Sequence, residues 1–85
     1  MNQFALETLE NLVKKATLIG APLCINQDDG NDKFYAFIMC SGATPSHYDS
    51  EETLVEKIRQ LGFTGELRRV IYENYLGEPV TATIE

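Results

Sequence analysis

A serine, a histidine and an aspartate lie within the four-residue stretch SHYD, at positions 46–49. These are the residue types of a nucleophile, a base and an orienting carboxylate, so the chemistry to consider first is nucleophilic catalysis. Such a group works only when the base is hydrogen-bonded to the nucleophile, and neighbouring residues on an extended loop seldom converge in that way. We therefore predict a protein that is not an enzyme, with Asp49 as a helix cap and His47 in a solvent-exposed loop.

The acidic stretch DDGND, residues 28–32, is a second candidate, here for a calcium ion. A calcium loop of the EF-hand kind spreads its ligands over about twelve residues between two helices. The acids of this stretch are instead bunched between two apolar runs, where Asp, Asn and Gly are typical turn formers. One histidine and two distant cysteines argue against a zinc site, and no glycine-rich phosphate loop is present. We predict neither a metal nor a cofactor.

The two cysteines, Cys24 and Cys40, flank a segment that is typical of a β-hairpin. A turn centred near Gly30 places Cys24 opposite Ala36, with Cys40 four residues further along the partner strand. That offset is about 13 Å at a rise of about 3.3 Å per residue, which exceeds the reach of a disulfide. We therefore predict two free, buried thiols in a reducing compartment, and hence a cytoplasmic protein.

Composition and charge restrict the possible partners. The 85 residues are 44% hydrophobic and 24% charged, which is typical of one folded, soluble domain, residues 1–85. The longest uncharged apolar run is far shorter than the roughly 20 residues of a membrane span, and the N-terminal residues do not resemble a signal peptide. Thirteen acidic residues against seven basic ones give a net charge of −6, which repels a phosphate backbone. The expectation is a protein that contacts neither membranes nor nucleic acid directly.

Hydrophobic periodicity predicts two helices. The first covers residues 2–19, where leucine, valine, alanine and isoleucine recur at the spacing of one helical face. The second begins at Asp49 or Ser50, because Asp49 and Glu52 have capping-box spacing, and it ends at Gly62.

Each helix is followed by a predicted hairpin. The first has strands near 22–27 and 33–40, and the second lies within 65–85, where apolar residues and threonines alternate in the final strand. The fold class predicted is α+β, in the order helix-strand-strand-helix-strand-strand, with an antiparallel four-stranded sheet and both helices on one face. The halves 2–40 and 49–85 could record a duplicated helix–hairpin unit, although any amphipathic helix ending in glycine gives the same likeness.

The stretch KFYAFIMC, residues 33–40, is apolar on both faces of a strand. If Phe34, Ala36 and Ile38 face the helices, the outward-facing residues are Tyr35, Phe37 and Met39, or the reverse. An exposed patch of aromatic residues and methionine is typical of a protein-binding surface. The alternatives are that loop 41–50 covers this face, that a helix extends over it, or that a second copy of the chain does.

Acidic residues form two groups that could flank this surface as rims. The first group is in the hairpin turn and the second at the start of the second helix: Asp28, Asp29 and Asp32; Asp49, Glu51, Glu52 and Glu56. Turn formation and helix capping also account for these acids without a partner.

These features favour a non-enzymatic protein-binding module. It would dock the surface of Tyr35, Phe37 and Met39, with its acidic rims, against a basic partner such as a nucleic-acid-handling protein, which it would inhibit or modulate. In size and charge, though through no motif, the chain resembles the small proteins with which phages and plasmids block host machinery, and small immunity proteins. The alternatives are a homodimeric structural domain without a basic partner and a small-molecule binder with a pocket beside loop 41–50.

Overall fold

The computed structural model describes residues 3–28, 30, 32–39 and 48–84. Along the chain the elements are α1 (Gln3–Ile19), β1 (Leu23–Gln27), β2 (Phe34–Phe37), α2 (Glu51–Gln60), β3 (Leu67–Glu73) and β4 (Pro79–Thr83). The predicted α+β class, with two helices and a four-stranded sheet, is confirmed.

The predicted antiparallel sheet was wrong, because the sheet is mixed. Its strand order is β2-β1-β3-β4, with β1 antiparallel to β2 but parallel to β3, and β3 antiparallel to β4. The physical reason lies in the connection through α2. Strand β2 ends at Phe37, beside Cys24, at the end of the sheet where β1 starts. Tyr48 pairs with Phe34 at the opposite end, so α2, which follows Tyr48, brings the chain back to the end where β1 starts. Leu67 therefore lies beside Leu23, and both strands leave that end in the same direction.

One hydrophobic core joins both helices to alternate residues of the strands. Helix α1 contributes Leu9, Val13 and Ala16, and α2 contributes Leu54 and Ile58; the other members are Leu23, Ile25, Ala36, Ile38, Tyr48, Phe63 and Leu67. Because the strand members Leu23, Ile25 and Leu67 belong to a single face, both helices pack on that face of the sheet.

Helix α2 is capped by Ser50 and not by Asp49. The Ser50 backbone is extended, with φ −147°, and its side-chain hydroxyl accepts a hydrogen bond from the Thr53 backbone N–H at 3.1 Å. Asp49 instead forms an ion pair with Lys33. The predicted capping by Asp49 was therefore wrong, because its carboxylate pairs with Lys33, the residue that precedes β2. The remaining charges fit the helix dipole, with glutamates in the first turn and Lys57 and Arg59 in the last.

Replacing Ser50 with alanine should lower the free energy of unfolding by about 1 kcal/mol, because the Thr53 N–H loses its side-chain partner. Urea denaturation followed by circular dichroism measures this change. The control is Thr64→Ala in the exposed α2–β3 loop, which we expect to shift stability by less than about 0.5 kcal/mol. Equal stability of the Ser50 variant and the wild type would contradict the assigned cap.

The predicted hairpin register was wrong by one residue. Cys24 pairs with Phe37 rather than Ala36. The turn is closed by the Asp28 N–H donating to the Lys33 carbonyl at 2.6 Å, and Asp32 has the left-handed φ of 58°. Aspartate tolerates this conformation better than most residues, so the turn does not need to centre on Gly30. Cys24 is free and buried, as predicted, whereas Cys40 lies outside the described residues.

Candidate functional site

The sheet face opposite the helices, called the open face below, is built from the alternate residues that do not enter the core. Its described members in register across the sheet are Phe37 on β2, Cys24 on β1, Arg68 on β3 and Thr83 on β4. Further along the strands, Tyr35 pairs with Asn26, and Val70 pairs with Thr81 on the same face. Strand β2 therefore adopts the first of the two predicted orientations, because Ala36 and Ile38 are buried in the core and Phe34 packs against it.

Aromatic side chains occupy the β2 side of the open face. The ring centroids of Tyr35 and Phe37 are 5.9 Å apart, with planes inclined by 40°. The Asn26 side-chain amide donates to the Tyr35 hydroxyl at 3.3 Å, which holds that ring over β1. Met39, two residues beyond Phe37, is 40% exposed, whereas the two rings are half-buried. The two rings therefore lie side by side on the open face.

Cys24 lies at the centre of the open face but is completely buried. Its register neighbours are Phe37 on one side and Arg68 on the other. Burial raises the pKa of the Cys24 thiol, the positive charge of Arg68 lowers it by a smaller amount, and Glu66 raises it further. The thiol is therefore protonated at neutral pH and a weak nucleophile.

Alkylation of Cys24 by iodoacetamide at pH 8 should be much slower in the native protein than in urea, because the thiol is buried and its pKa is raised. Mass mapping of the peptide that carries Cys24 measures this rate separately from that of Cys40. Truncating the neighbouring ring by Phe37→Ala should increase the native rate. A native rate equal to that in urea would show that the centre of the open face is not packed as described.

Polar side chains occupy the β4 side of the open face. The Arg68 guanidinium donates from Nε to the Thr81 hydroxyl at 2.6 Å and from Nη2 to the Thr81 carbonyl at 3.3 Å, and it pairs with Glu66. Thr83 donates to the same Glu66 carboxylate at 3.0 Å. Because Arg68 occupies a backbone acceptor of the edge strand, this edge is less available for pairing with another strand.

Arg69 lies on the helix side of the sheet, as strand alternation predicts. Its Nε and Nη2 donate to the two carboxylate oxygens of Glu51, each at 2.7 Å, which ties the first turn of α2 to β3. The Glu51 carboxylate is therefore paired with Arg69 within the fold, on the face opposite Tyr35 and Phe37.

The acids of the second predicted group do not border the aromatic patch together. Glu51, Glu52 and Glu56 belong to α2, on the helix side, and Glu56 accepts a hydrogen bond from Gln60 at 3.3 Å. Asp49 is paired with Lys33, which lowers the pKa of its carboxyl.

The acids of the first predicted group belong to the β1–β2 turn, at one end of the sheet. Asp28 accepts from the Gly30 N–H at 2.8 Å, and Asp32 is exposed. Asp29 lies outside the described residues. The two acidic groups therefore do not form one continuous rim. The first lies in the β1–β2 turn at one end of the sheet, and the second lies on α2, on the opposite face of the sheet from Tyr35 and Phe37.

Cover of the open face by loop 41–50 was one of the alternatives, and Tyr48 does not provide it. This residue is only 5% exposed, belongs to the core and pairs through its backbone with Phe34. Tyr48 therefore packs on the helix side, whereas Ser46, His47 and the rest of 40–47 lie outside the described residues.

A cleft of about 450 Å³ opens where β1 and β3 separate beyond Ile25 and Arg69. Its wall includes Gln27, whose backbone N–H donates to the Asn26 side chain at 2.9 Å. The Arg69 guanidinium in this cleft is already neutralised by Glu51. The residues that line the cleft therefore do not indicate which class of small molecule it would bind.

Four large apolar residues at the end of the β3–β4 hairpin are exposed to solvent, and this surface was not predicted from the sequence. Tyr75 is 94% exposed, Leu76 64%, Ile71 59% and Tyr72 57%. Strand β3 continues to Glu73 after its last pairing with β1 at Arg69, so this hairpin extends past the central sheet. The available signal was the unusual turn sequence IYENYLG, in which large apolar residues stand where polar ones are usual.

Within the parts of the chain that the structure describes, no three histidine, cysteine, aspartate or glutamate side chains are grouped as metal ligands. No helix among the same residues has the length and apolarity needed to cross a bilayer. Compared with protein-family models, with curated proteins and with solved structures, the chain shows no match. The geometry thus defines a small mixed-sheet α+β domain whose open face and hairpin end are its candidate contact surfaces.

Proposed function

We propose that this protein is a non-enzymatic binding module that docks its open face against a basic partner protein. The observation that carries the proposal is the contact between the rings of Tyr35 and Phe37 on the face without helices. Met39, two residues further along the chain, is exposed. Aromatic residues give rigid contact area, and methionine adapts its shape to a partner. Aromatic, methionine and arginine side chains are enriched at protein interfaces, and Arg68 lies on the same face.

The net charge of −6 supports a basic partner, such as a protein that itself binds nucleic acid and is inhibited or modulated by this module. The acidic residues of α2 lie on the face of the sheet opposite the open face. They therefore attract the basic partner during its approach and do not contact it in the complex. Charges separated by more than about 8 Å are largely screened at physiological ionic strength. Association should therefore become slower as salt rises, whereas dissociation, which depends on the apolar patch, should change less.

Two further observations support this mode of binding. Arg68 donates to the Thr81 carbonyl of the edge strand β4, which leaves that edge less suited to strand addition and favours contact through the open face. The free, protonated thiol of Cys24 at the centre of that face suits a reducing compartment, so a cytoplasmic location is part of the proposal.

The experiment compares binding of one purified partner to three forms of the full chain. The partner is first recovered on immobilised wild-type protein and identified, and its dissociation constant is then measured for the wild type, Phe37→Asp and Leu18→Asp. Leu18 is the matched control, because it is 86% exposed but belongs to α1 on the other side of the sheet.

We expect Phe37→Asp to weaken binding by at least about 30-fold and Leu18→Asp by less than about threefold, because truncation at the centre of an interface costs most. The association rate of the wild type should fall between 50 mM and 500 mM salt. Equal effects of the two variants would refute docking through the open face. An association rate that does not depend on salt would refute the basic partner.

A further inference from the structure

The end of the β3–β4 hairpin, residues 71–78, is called the hairpin tip below. We propose that the hairpin tip is a second docking element, which inserts into an apolar groove with a basic rim on a folded partner protein. This assignment does not depend on the open face, because it rests on a different set of residues beyond the central pairing of β1 with β3.

The turn of the hairpin tip is held by four hydrogen bonds that all involve Asn74. Its backbone N–H donates to the Glu78 carbonyl at 2.9 Å, and its carbonyl accepts from the Gly77 N–H at 2.9 Å. Its side-chain oxygen accepts from the N–H groups of Leu76 at 2.9 Å and Glu78 at 3.0 Å. Gly77 supplies the left-handed φ of 78° that closes the turn. The turn is therefore ordered before any partner binds, which reduces the entropy lost on association.

The side chains presented by this turn are apolar and face solvent. Tyr75 and Leu76 occupy the middle of the turn at 94% and 64% exposure. Ile71 and Tyr72, which precede the turn on β3, are also exposed. The turn needs only Asn74 and Gly77 for its geometry, so the fold does not account for a tyrosine and a leucine between them. A rigid projection with an aromatic end is suited to a concave apolar site, where such anchors contribute most to binding.

The negative charge of the hairpin tip indicates which kind of groove it fits. Exposed glutamates, Glu73 and Glu78, stand on the two arms of the hairpin, and residues 70–85 contain no lysine or arginine. Carboxylates on both sides of an apolar tip complement a groove rimmed by lysine or arginine. The same carboxylates are repelled by anionic lipid and by phosphate backbones, and they disfavour contact between the tips of two identical chains.

The test places the photoreactive residue p-benzoylphenylalanine at position 75 of the full chain, produced in the native host. Irradiation links this residue to whatever surrounds the hairpin tip, and mass spectrometry identifies the linked molecule and the linked residue. The matched control carries the same residue at position 18, which is also exposed but lies on α1. The identified partner is then purified for affinity measurements.

The expected result is a protein adduct at position 75, absent from the control, whose linked residue lies in an apolar groove bordered by lysine or arginine. With that partner, Tyr75→Ser should weaken binding at least about 30-fold, and Leu18→Ser should leave it unchanged. Joint Glu73→Lys and Glu78→Lys substitution should weaken it at least about tenfold at low salt. Asn74→Ala keeps the apolar side chains but loosens the turn, so it should weaken binding as well.

Several results would overturn the proposal. They are an adduct to lipid, an adduct to a second copy of this chain, or no adduct beyond that of the control. A protein adduct whose partner binds the Tyr75→Ser variant as tightly as the wild type would also overturn it. Circular dichroism of each variant verifies folding, which we expect to be unchanged for Tyr75→Ser because that side chain contacts solvent. If Phe37→Asp abolishes binding and Tyr75→Ser does not, the proposal for the hairpin tip fails, whereas the proposal for the open face stands.

Discussion

Replacing Ala36 with aspartate should unfold the protein, whereas the same substitution at the next residue, Phe37, should leave it folded. Ala36 is completely buried in the core and pairs with Ile25. An unpaired carboxylate there costs several kcal/mol. An 85-residue domain has a total stability of roughly 4–13 kcal/mol, so this cost is a large part of it or all of it. Circular dichroism and urea denaturation measure both variants.

Phe37→Asp is the control within the same strand. Its new carboxylate lies on the open face in contact with water, and the lost apolar burial should cost about 1–2 kcal/mol. If Phe37→Asp unfolds the chain as completely as Ala36→Asp, the open face is covered in the isolated protein and the assignment of the two faces fails.

Replacing Leu54 with alanine should lower the free energy of unfolding by about 3–5 kcal/mol. Leu54 is completely buried within the core that joins α2 to α1 and the sheet, so truncation removes apolar contacts and leaves a cavity. The neighbouring Val55 is half-buried at the edge of the same core, and Val55→Ala should cost about 1 kcal/mol. Urea denaturation with a common m-value gives both numbers. Similar losses for the two variants would show that α2 is rotated relative to the described packing.

The helices were predictable because their apolar spacing is unambiguous. Leu9, Val13 and Ala16 recur at one face of α1 and are buried, and the same holds for Leu54 and Ile58 in α2. The predicted apolar stripe of α1 also contained Ile19, which is 56% exposed at the end of the helix. Helix periodicity is a local property, so no knowledge of the partner elements is needed to recognise it.

The direction of β3 was not predictable in the same way. Strand β1 is buried at three successive positions, Leu23, Cys24 and Ile25, and this run is typical of a central strand, including a parallel one. Whether β3 runs with or against β1 depends on the path of the connection through α2, which strand alternation does not encode. The cap at Ser50 was obscured for a related reason, because the Asp49 carboxylate is taken up by the distant Lys33.

The candidate surfaces were predictable only in part. Alternation in β2 predicted two opposite faces, but the choice between them is made by contacts of Ala36 and Ile38 with the helices. The hairpin tip was not recognised because Tyr75 and Leu76 have the composition of core residues. Their exposure follows from the extension of β3 past β1, which is a property of the sheet as a whole.

The central claim is that the open face binds a different protein and not a second copy of this chain. The most direct test is to measure the molar mass of the purified chain in solution. Light scattering on a sizing column, across a tenfold dilution, should give the monomer mass of 9.5 kDa at every concentration. A species of twice that mass that becomes monomeric on Phe37→Asp substitution would contradict the claim. In that case a second copy of the chain, rather than a basic partner, would cover Tyr35 and Phe37.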